Sequence, residues 1–224
     1  MNSLTTAPLA PLLDRLFAEA EASWSTASEA VDYWSGLSEE EQARLMRSRT
    51  DYRAFYGHLK GVALPVSRET GSLLYMLARG AGARTIVEFG TSFGISTLHL
   101  AAALRDNGGG RLITSEFEPS KVARAIDNLA AGGLADLVEI REGDALRTLA
   151  ADLPEAIDLL LLDGAKGLYA DILALVESRL RPGALIVADN ADHCPDYLAR
   201  VRSPARGYLS VPFAGDVELS LRLA

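Results

Sequence analysis

The sequence predicts a doubly wound α/β fold: a mostly parallel seven-stranded sheet flanked by helices, with helices ahead of it and a C-terminal antiparallel hairpin. Three observations predict it. Between Arg84 and Asp189, five short apolar runs alternate with stretches of helical periodicity. The fourth run, Ile157 to Leu162, shows little period-2 alternation, as a parallel strand covered on both faces requires. After Asp189 the alternation stops, and two strand-like runs meet at Ala214-Gly215-Asp216.

Taken in order, the elements begin with helices, and no strand is evident before residue 84. From Pro8, Leu9, Leu12, Leu13, Leu16 and Phe17 form one helical face, which the polar stretch Ser23 to Ser28 interrupts. A second helix is expected over Glu29 to Leu37. Ser38 with Glu39, Glu40 and Glu41 offers an N-cap and first-turn carboxylates for a third. An aromatic group, Tyr52, Phe55 and Tyr56, follows. Ser67-Arg-Glu-Thr70 opens a helix carrying Leu73, Leu74, Met76 and Leu77, which Gly80 and Gly82 end.

The five strands are expected at Thr85 to Phe89, Leu112 to Ser115, Leu137 to Ile140, Ile157 to Leu162 and Ala184 to Ala188. Between them lie Ile95 to Leu104, the periodic Val122, Ile126 and Leu129 with Gly132-Gly133 as a stop, and Ile172, Leu173 and Val176 before Arg181-Pro-Gly183. A helix over Pro195 to Val201 and strands at Tyr208 to Phe213 and Val217 to Leu223 complete the chain. One domain is expected, with a helical segment over 1–63 and the core over 64–224.

Composition narrows the function. Among 224 residues, 22 basic against 30 acidic side chains give a formal charge of −8 with no Lys/Arg run, which excludes the footprint of a nucleic-acid binder. Cys194 is the single cysteine, so an internal disulfide and a thiolate metal cage are excluded. No apolar stretch reaches the roughly 20 residues of a membrane helix, and Met1 to Ala10 lacks the pattern of a secretory leader. A cytoplasmic chain without a membrane partner is expected.

Each strand run ends at or near a carboxylate: Glu88, Glu116, Asp144, Asp163 and Asp189. Ligands of open α/β sheets bind at that edge. Crowded carboxylates repel one another, so the edge calls for an offsetting group: an ammonium or sulfonium, ribose hydroxyls or a divalent cation. The loop Glu88-Phe-Gly90-Thr91-Ser92-Phe-Gly94-Ile-Ser96 runs straight into a helix, and its glycines let backbone approach a ligand at the helix N-terminus. Its G-x-x-x-G spacing differs from the G-x-G-x-x-G dinucleotide fingerprint, which disfavours a nicotinamide dehydrogenase. Glu116 is placed to accept both hydroxyls of a ribose, and Gly143-Asp144-Ala145 to flank an adenine edge.

At these residues the chain resembles the class I S-adenosylmethionine (SAM)-dependent methyltransferases, over roughly Leu64 to Leu223. The resemblance implies a Rossmann-like fold and SAM as cofactor, held by Glu88, Gly90, Thr91, Ser92, Gly94, Ser96, Glu116, Gly143, Asp144, Ala145 and Asp163.

The fourth and fifth strands end in Asp163-Gly-Ala-Lys166 and Asp189-Asn190. Two acids and an amide on adjacent strand ends offer three hard oxygen ligands, leaving about three positions of an octahedral Mg²⁺ for water and substrate. The paired D-x-x-K and D-N signals look like the catechol and caffeoyl-CoA type O-methyltransferases. That resemblance implies Asp163, Asp189 and Asn190 as ligands of Mg²⁺ or another divalent cation, Lys166 as the base, and a small phenolic acceptor with vicinal hydroxyls. In such relatives the N-terminal helices cover the acceptor pocket or join a dimer, so a homodimer stays open. His193 is a ligand, an auxiliary base or a surface histidine; His58 and His99 are expected to be structural. Trp34, Tyr52, Phe55 and Tyr56 wall the acceptor pocket or belong to the core. The rival readings are a metal-independent O- or N-methyltransferase and a SAM-binding protein without turnover.

Overall fold

The computed structural model describes residues 2–26, 28–213 and 215–223. Helices α1 (Leu9–Thr26), α2 (Ser28–Ser35), α3 (Glu39–Met46), α4 (Tyr52–His58) and α5 (Arg68–Gly80) precede the first strand. α1 ends at Thr26, inside the polar stretch expected to interrupt it, though near its far end. The hydroxyls of Ser23, Ser25 and Thr26 donate to the carbonyls of Ala20 and Ala22, so they are satisfied within the last turns of the helix. α3 opens on a capping box in which Ser38 accepts from Glu41 N and the Glu41 carboxylate accepts from Ser38 N at 2.9 Å. The aromatic group Tyr52, Phe55 and Tyr56 lies on α4.

The sheet and its helices follow as β1 (Thr85–Phe89), α6 (Ile95–Asp106), β2 (Arg111–Glu116), α7 (Pro119–Ala131), β3 (Val138–Glu142), α8 (Ala145–Thr148), β4 (Ile157–Leu162), α9 (Tyr169–Val176), β5 (Leu180–Ala188), α10 (Pro195–Val201), β6 (Tyr208–Phe213) and β7 (Val217–Arg222). The strand order is β3-β2-β1-β4-β5-β7-β6. β1 to β5 pair in parallel, and β7 runs antiparallel to both β5 and β6. Strand order reverses between β1 and β4, the crevice where ligands of doubly wound sheets bind. Leu12, Leu16, Leu74 and Leu98 cover one face of the sheet, against Ile86, Leu112 and Leu159. Ile172, Leu173 and Val201 cover the other, against Val87, Ile113 and Leu160. Each such buried side chain stabilises the fold by about 1.5–3 kcal/mol relative to exposure.

Several boundaries differ from expectation. Arg181-Pro182-Gly183, read as a helix stop, lies inside β5, because α9 already ends at Val176 and a 3₁₀ turn over Glu177–Arg179 leads into the strand. The β4–β5 register shifts between Ile157 and Leu159, and Gly183 has φ +80°; the irregularity accommodates a proline that has no ladder donor. Leu137 closes a 3₁₀ turn, and β3 starts one residue later. β7 ends at Arg222, before Leu223. Of the hairpin turn, Ala214 lies outside the described residues. Among the described residues no helix is long and apolar enough to cross a membrane.

Asp158, the one charged residue in the β4 run, ties the bottom of the sheet. It accepts the amides of Arg84 and Thr85 at 2.7 and 2.8 Å and the Arg181 guanidinium. Burial raises its carboxyl pKa, but Arg181 and the two amides outweigh that and hold it below the usual carboxylate value.

Candidate active site

The first turn of α6 is fastened from behind. Glu88 is fully buried, and its two oxygens accept Ser96 Oγ and Thr97 Oγ1, each at 2.6 Å. Burial pushes its carboxyl up, against the three hydroxyls around it. Glu88 therefore shapes the glycine loop through α6. In that loop Gly90 has φ +103°, and a Cβ there would stand 2.4 Å from the carbonyl oxygen of Asp163. Only glycine lets the loop after β1 come this close to the loop after β4. Gly94, at φ +84°, is the N-cap of α6. Thr91 is buried and shares a 2.6 Å hydrogen bond with Thr114.

A cavity opens at the crevice. Gly90 and Ser92 from the first loop and Glu116 from β2 line it, with Gly143, Asp144 and Ala145 beyond β3 and Asp163 beyond β4. Thr91 and Ser96 line a small pocket beside it, together with Ala63 and Asp163. Glu116 accepts Ser92 N at 2.9 Å and Glu118 N at 3.0 Å, which holds its carboxylate across the mouth of the glycine loop. Asp144 caps α8 by accepting Leu146 N at 3.1 Å, accepts Tyr52 Oη at 3.0 Å, and pairs with Arg53. The acid expected near an adenine edge is thus also the anchor of α4.

A second, larger cavity adjoins the first at Asp163, Gly164, Tyr56 and Leu64, which line both. Its floor holds Asp163, Lys166, Asp189, Asn190, His193 and Asp216; Trp24, Trp34, Met46 and Phe55 of the N-terminal helices form its wall. The aromatic group divides accordingly: Trp34 and Phe55 face the second cavity, Tyr56 both, and Tyr52 the first. Lys166 is buried, and its Nζ donates to Tyr169 Oη at 2.8 Å, Asp163 Oδ1 at 3.2 Å and the Asp189 carbonyl at 3.3 Å.

The carboxyl groups of Asp163 and Asp189 influence each other's charge. Burial pushes Asp163 up to about 6 despite Lys166, and burial together with Asp163 pushes Asp189 up to about 7. Burial opposes charge on Lys166 as well, yet the facing acids outweigh it and hold the ammonium above the usual lysine value. The two neighbouring carboxylates stabilise its proton. Among the described residues no group of three His, Cys, Asp or Glu side chains comes together to hold a metal. The donor set here is two carboxylates and the Asn190 amide, and its excess negative potential and hard oxygens fit a divalent cation.

The neighbours add no soft ligand. Burial pushes the Cys194 thiol up to about 12, and its Sγ lies 3.3 Å from the Lys166 carbonyl. His193 lines the second cavity, its Nε2 3.6 Å from Asp192. His99 accepts a core role, with Nδ1 2.8 Å from the Ile95 carbonyl, and His58 stacks on Tyr33. The sequence reading missed Asp216 and the buried Lys121, which lines the first cavity beside Glu116. Lys121 lies in the first turn of α7, and nothing in the helical spacing of the sequence shows it facing inward.

Residues 87–191 match a family model described as a methyltransferase domain. The chain is similar to catechol O-methyltransferases. It is 39% identical over 131 residues to a catechol O-methyltransferase of Niastella koreensis, covering 57% of this chain and 58% of that one. To a catechol O-methyltransferase of Mycobacterium tuberculosis it is 35% identical over 127 residues, covering 57% of each. The chain thus spans somewhat under three fifths of the length of these curated relatives. An O-methyltransferase from Streptomyces achromogenes involved in tomaymycin synthesis, solved in complex with SAM, superposes with a TM-score of 0.64 at 27% identity, covering 86% of this chain and 95% of that one. An O-methyltransferase from Bacillus cereus in complex with SAH gives 0.64 at 25% identity, covering 71% and 83%.

Proposed function

We propose that this methyltransferase transfers the methyl group of SAM to one hydroxyl of a small aromatic acceptor with vicinal hydroxyls, with Mg²⁺ or another divalent cation held by Asp163, Asp189 and Asn190. The observation that carries the reading is the meeting of the two cavities at Asp163, with Lys166 Nζ 3.2 Å from that carboxylate. A donor in the first cavity and an acceptor in the second then face each other across one residue, the alignment an in-line displacement needs. The names of the catechol O-methyltransferase relatives support the acceptor class.

Glu116 receives the ribose hydroxyls, and the glycine loop lets the sulfonium end approach the N-terminus of α6. Asp163 borders both cavities, so its negative charge faces the sulfonium on one side and the acceptor on the other. A bound divalent cation supplies Lewis acidity that lowers the pKa of the acceptor hydroxyls. Lys166 is the group assigned to the proton: once the charge of Asp163 and Asp189 is offset by a divalent cation beside them, these acids no longer keep Nζ protonated. The neutral amine then takes the hydroxyl proton as the oxygen–methyl bond forms and the sulfur–methyl bond breaks, the thioether product leaving. Trp34, Phe55 and Tyr56 exclude water from the acceptor ring.

A metal-independent transfer is the second reading. The Lys166–Asp163 ion pair favours it, since that pair offsets part of the site's charge without a cation. Product analysis with catechol, phenol and resorcinol tests the acceptor class. Rapid monomethylation of catechol with little turnover of the other two is expected. Equal rates on all three would overturn the vicinal-diol requirement.

A further inference from the structure

The turn before β7 folds back onto the loop after β5. Ala191 N donates to the Asp216 carbonyl at 2.7 Å, and Asn190 Nδ2 donates to Asp216 Oδ2 at 2.9 Å. Asn190 itself sits in the left-handed region, at φ 49° and ψ 42°, a conformation that asparagine tolerates better than most side chains. Its amide has two chemically opposite ends. A hard cation accepts only the carbonyl oxygen, and an NH₂ group turned toward it would be repelled. A carboxylate accepts and cannot donate, so Asp216 can be satisfied only by the NH₂ end.

We propose that Asp216 is a positioning residue for Asn190: by taking the amide N–H it fixes Oδ1 as the end offered to a divalent cation alongside Asp163 and Asp189. This rests on the metal reading above. Asp216 is exposed, and its Oδ2 is engaged by the amide, so it acts through Asn190 and not as a further ligand. Outer partners that orient a metal ligand typically contribute 10–100-fold in metal affinity.

The test is a Mn²⁺ titration followed by electron paramagnetic resonance, without SAM or acceptor, on wild type, Asp216→Ala, Asn190→Asp and the double variant. SAM affinity by calorimetry serves as the check that each variant is folded. Asp216→Ala should weaken Mn²⁺ binding about 10-fold or more in the wild-type background. In the Asn190→Asp background, where there is no amide to orient, the same substitution should leave affinity unchanged or improve it by removing a like charge. An equal loss in both backgrounds would mean that Asp216 contributes only charge or direct ligation and would overturn the proposal. Wild-type affinity in Asp216→Ala would overturn it too, while leaving the metal reading intact. A wild type that binds no Mn²⁺ would overturn the metal reading itself.

Discussion

Asp144, beyond β3, is joined to α4 by two side chains at once, accepting Tyr52 Oη at 3.0 Å and pairing with Arg53. This relationship fastens the N-terminal helices over the first cavity. Asp144→Ala should therefore raise the SAM dissociation constant at least about tenfold and lower unfolding free energy by about 1–2 kcal/mol, the cost of a lost helix cap and its partners. Arg53→Ala alone should do much less, since its side chain is 54% exposed. Calorimetry and urea unfolding check both; unchanged SAM affinity in Asp144→Ala would contradict the role given to α4.

Glu116 carries a second expectation. Its carboxylate already holds two loop amides and retains lone pairs for a ribose. Glu116→Ala should weaken SAM binding by about 2–4 kcal/mol, through loss of charge-assisted hydrogen bonds and of the loop geometry together. Calorimetry showing wild-type affinity would remove Glu116 from the cofactor site.

Asp158 tests the sheet apart from the chemistry. Its folded carboxyl lies below the unfolded value of about 3.9, so its contribution is present above that pH and is lost as pH falls through the folded value. Asp158→Asn should cost about 1–2 kcal/mol at pH 7, and the gap to wild type should shrink below about pH 4. Urea midpoints measured across pH 3 to 7 check it. A gap that stays constant would show that charge on Asp158 is not what stabilises the strand ends.

Lys166 and Asp189 should fail in different ways. Lys166→Met removes the proton acceptor, so kcat should fall roughly 10² to 10⁴-fold while SAM affinity stays near wild type. Added Mg²⁺ should partly rescue Asp189→Ala by mass action and should not rescue the lysine variant. Near-normal kcat in Lys166→Met would point to another base, with His193 the next to test.

Much of this site was legible in the sequence because each of the five parallel strands was read as an apolar run that ends at or near an acid. Glu116, Asp144, Asp163 and Asp189 follow from that pattern alone, and the structure gathers them at the crevice. Glu88 belongs to the same pattern, yet its oxygens are spent on Ser96 and Thr97, a pairing that depends on how α6 leaves its loop. Asp216 was not legible as a site residue, because it reaches Asn190 only after the last hairpin reverses the chain. The bulge at Pro182-Gly183 escaped for a related reason: local turn chemistry reads as a stop, and only pairing with β4 shows that the strand has begun. Likewise the sequence leaves Trp34 open between pocket wall and core and does not single out Trp24; their place on the wall of the second cavity comes from how α1 and α2 pack.

The central claim is that methyl transfer here depends on a cation held between Asp163, Asp189 and Asn190. It is tested most directly by following catechol methylation from SAM in enzyme stripped with EDTA and then titrated with Mg²⁺, with SAM binding measured in parallel. The account predicts that turnover disappears in chelator and returns with Mg²⁺ while SAM affinity barely changes. Full turnover in the presence of chelator would contradict it.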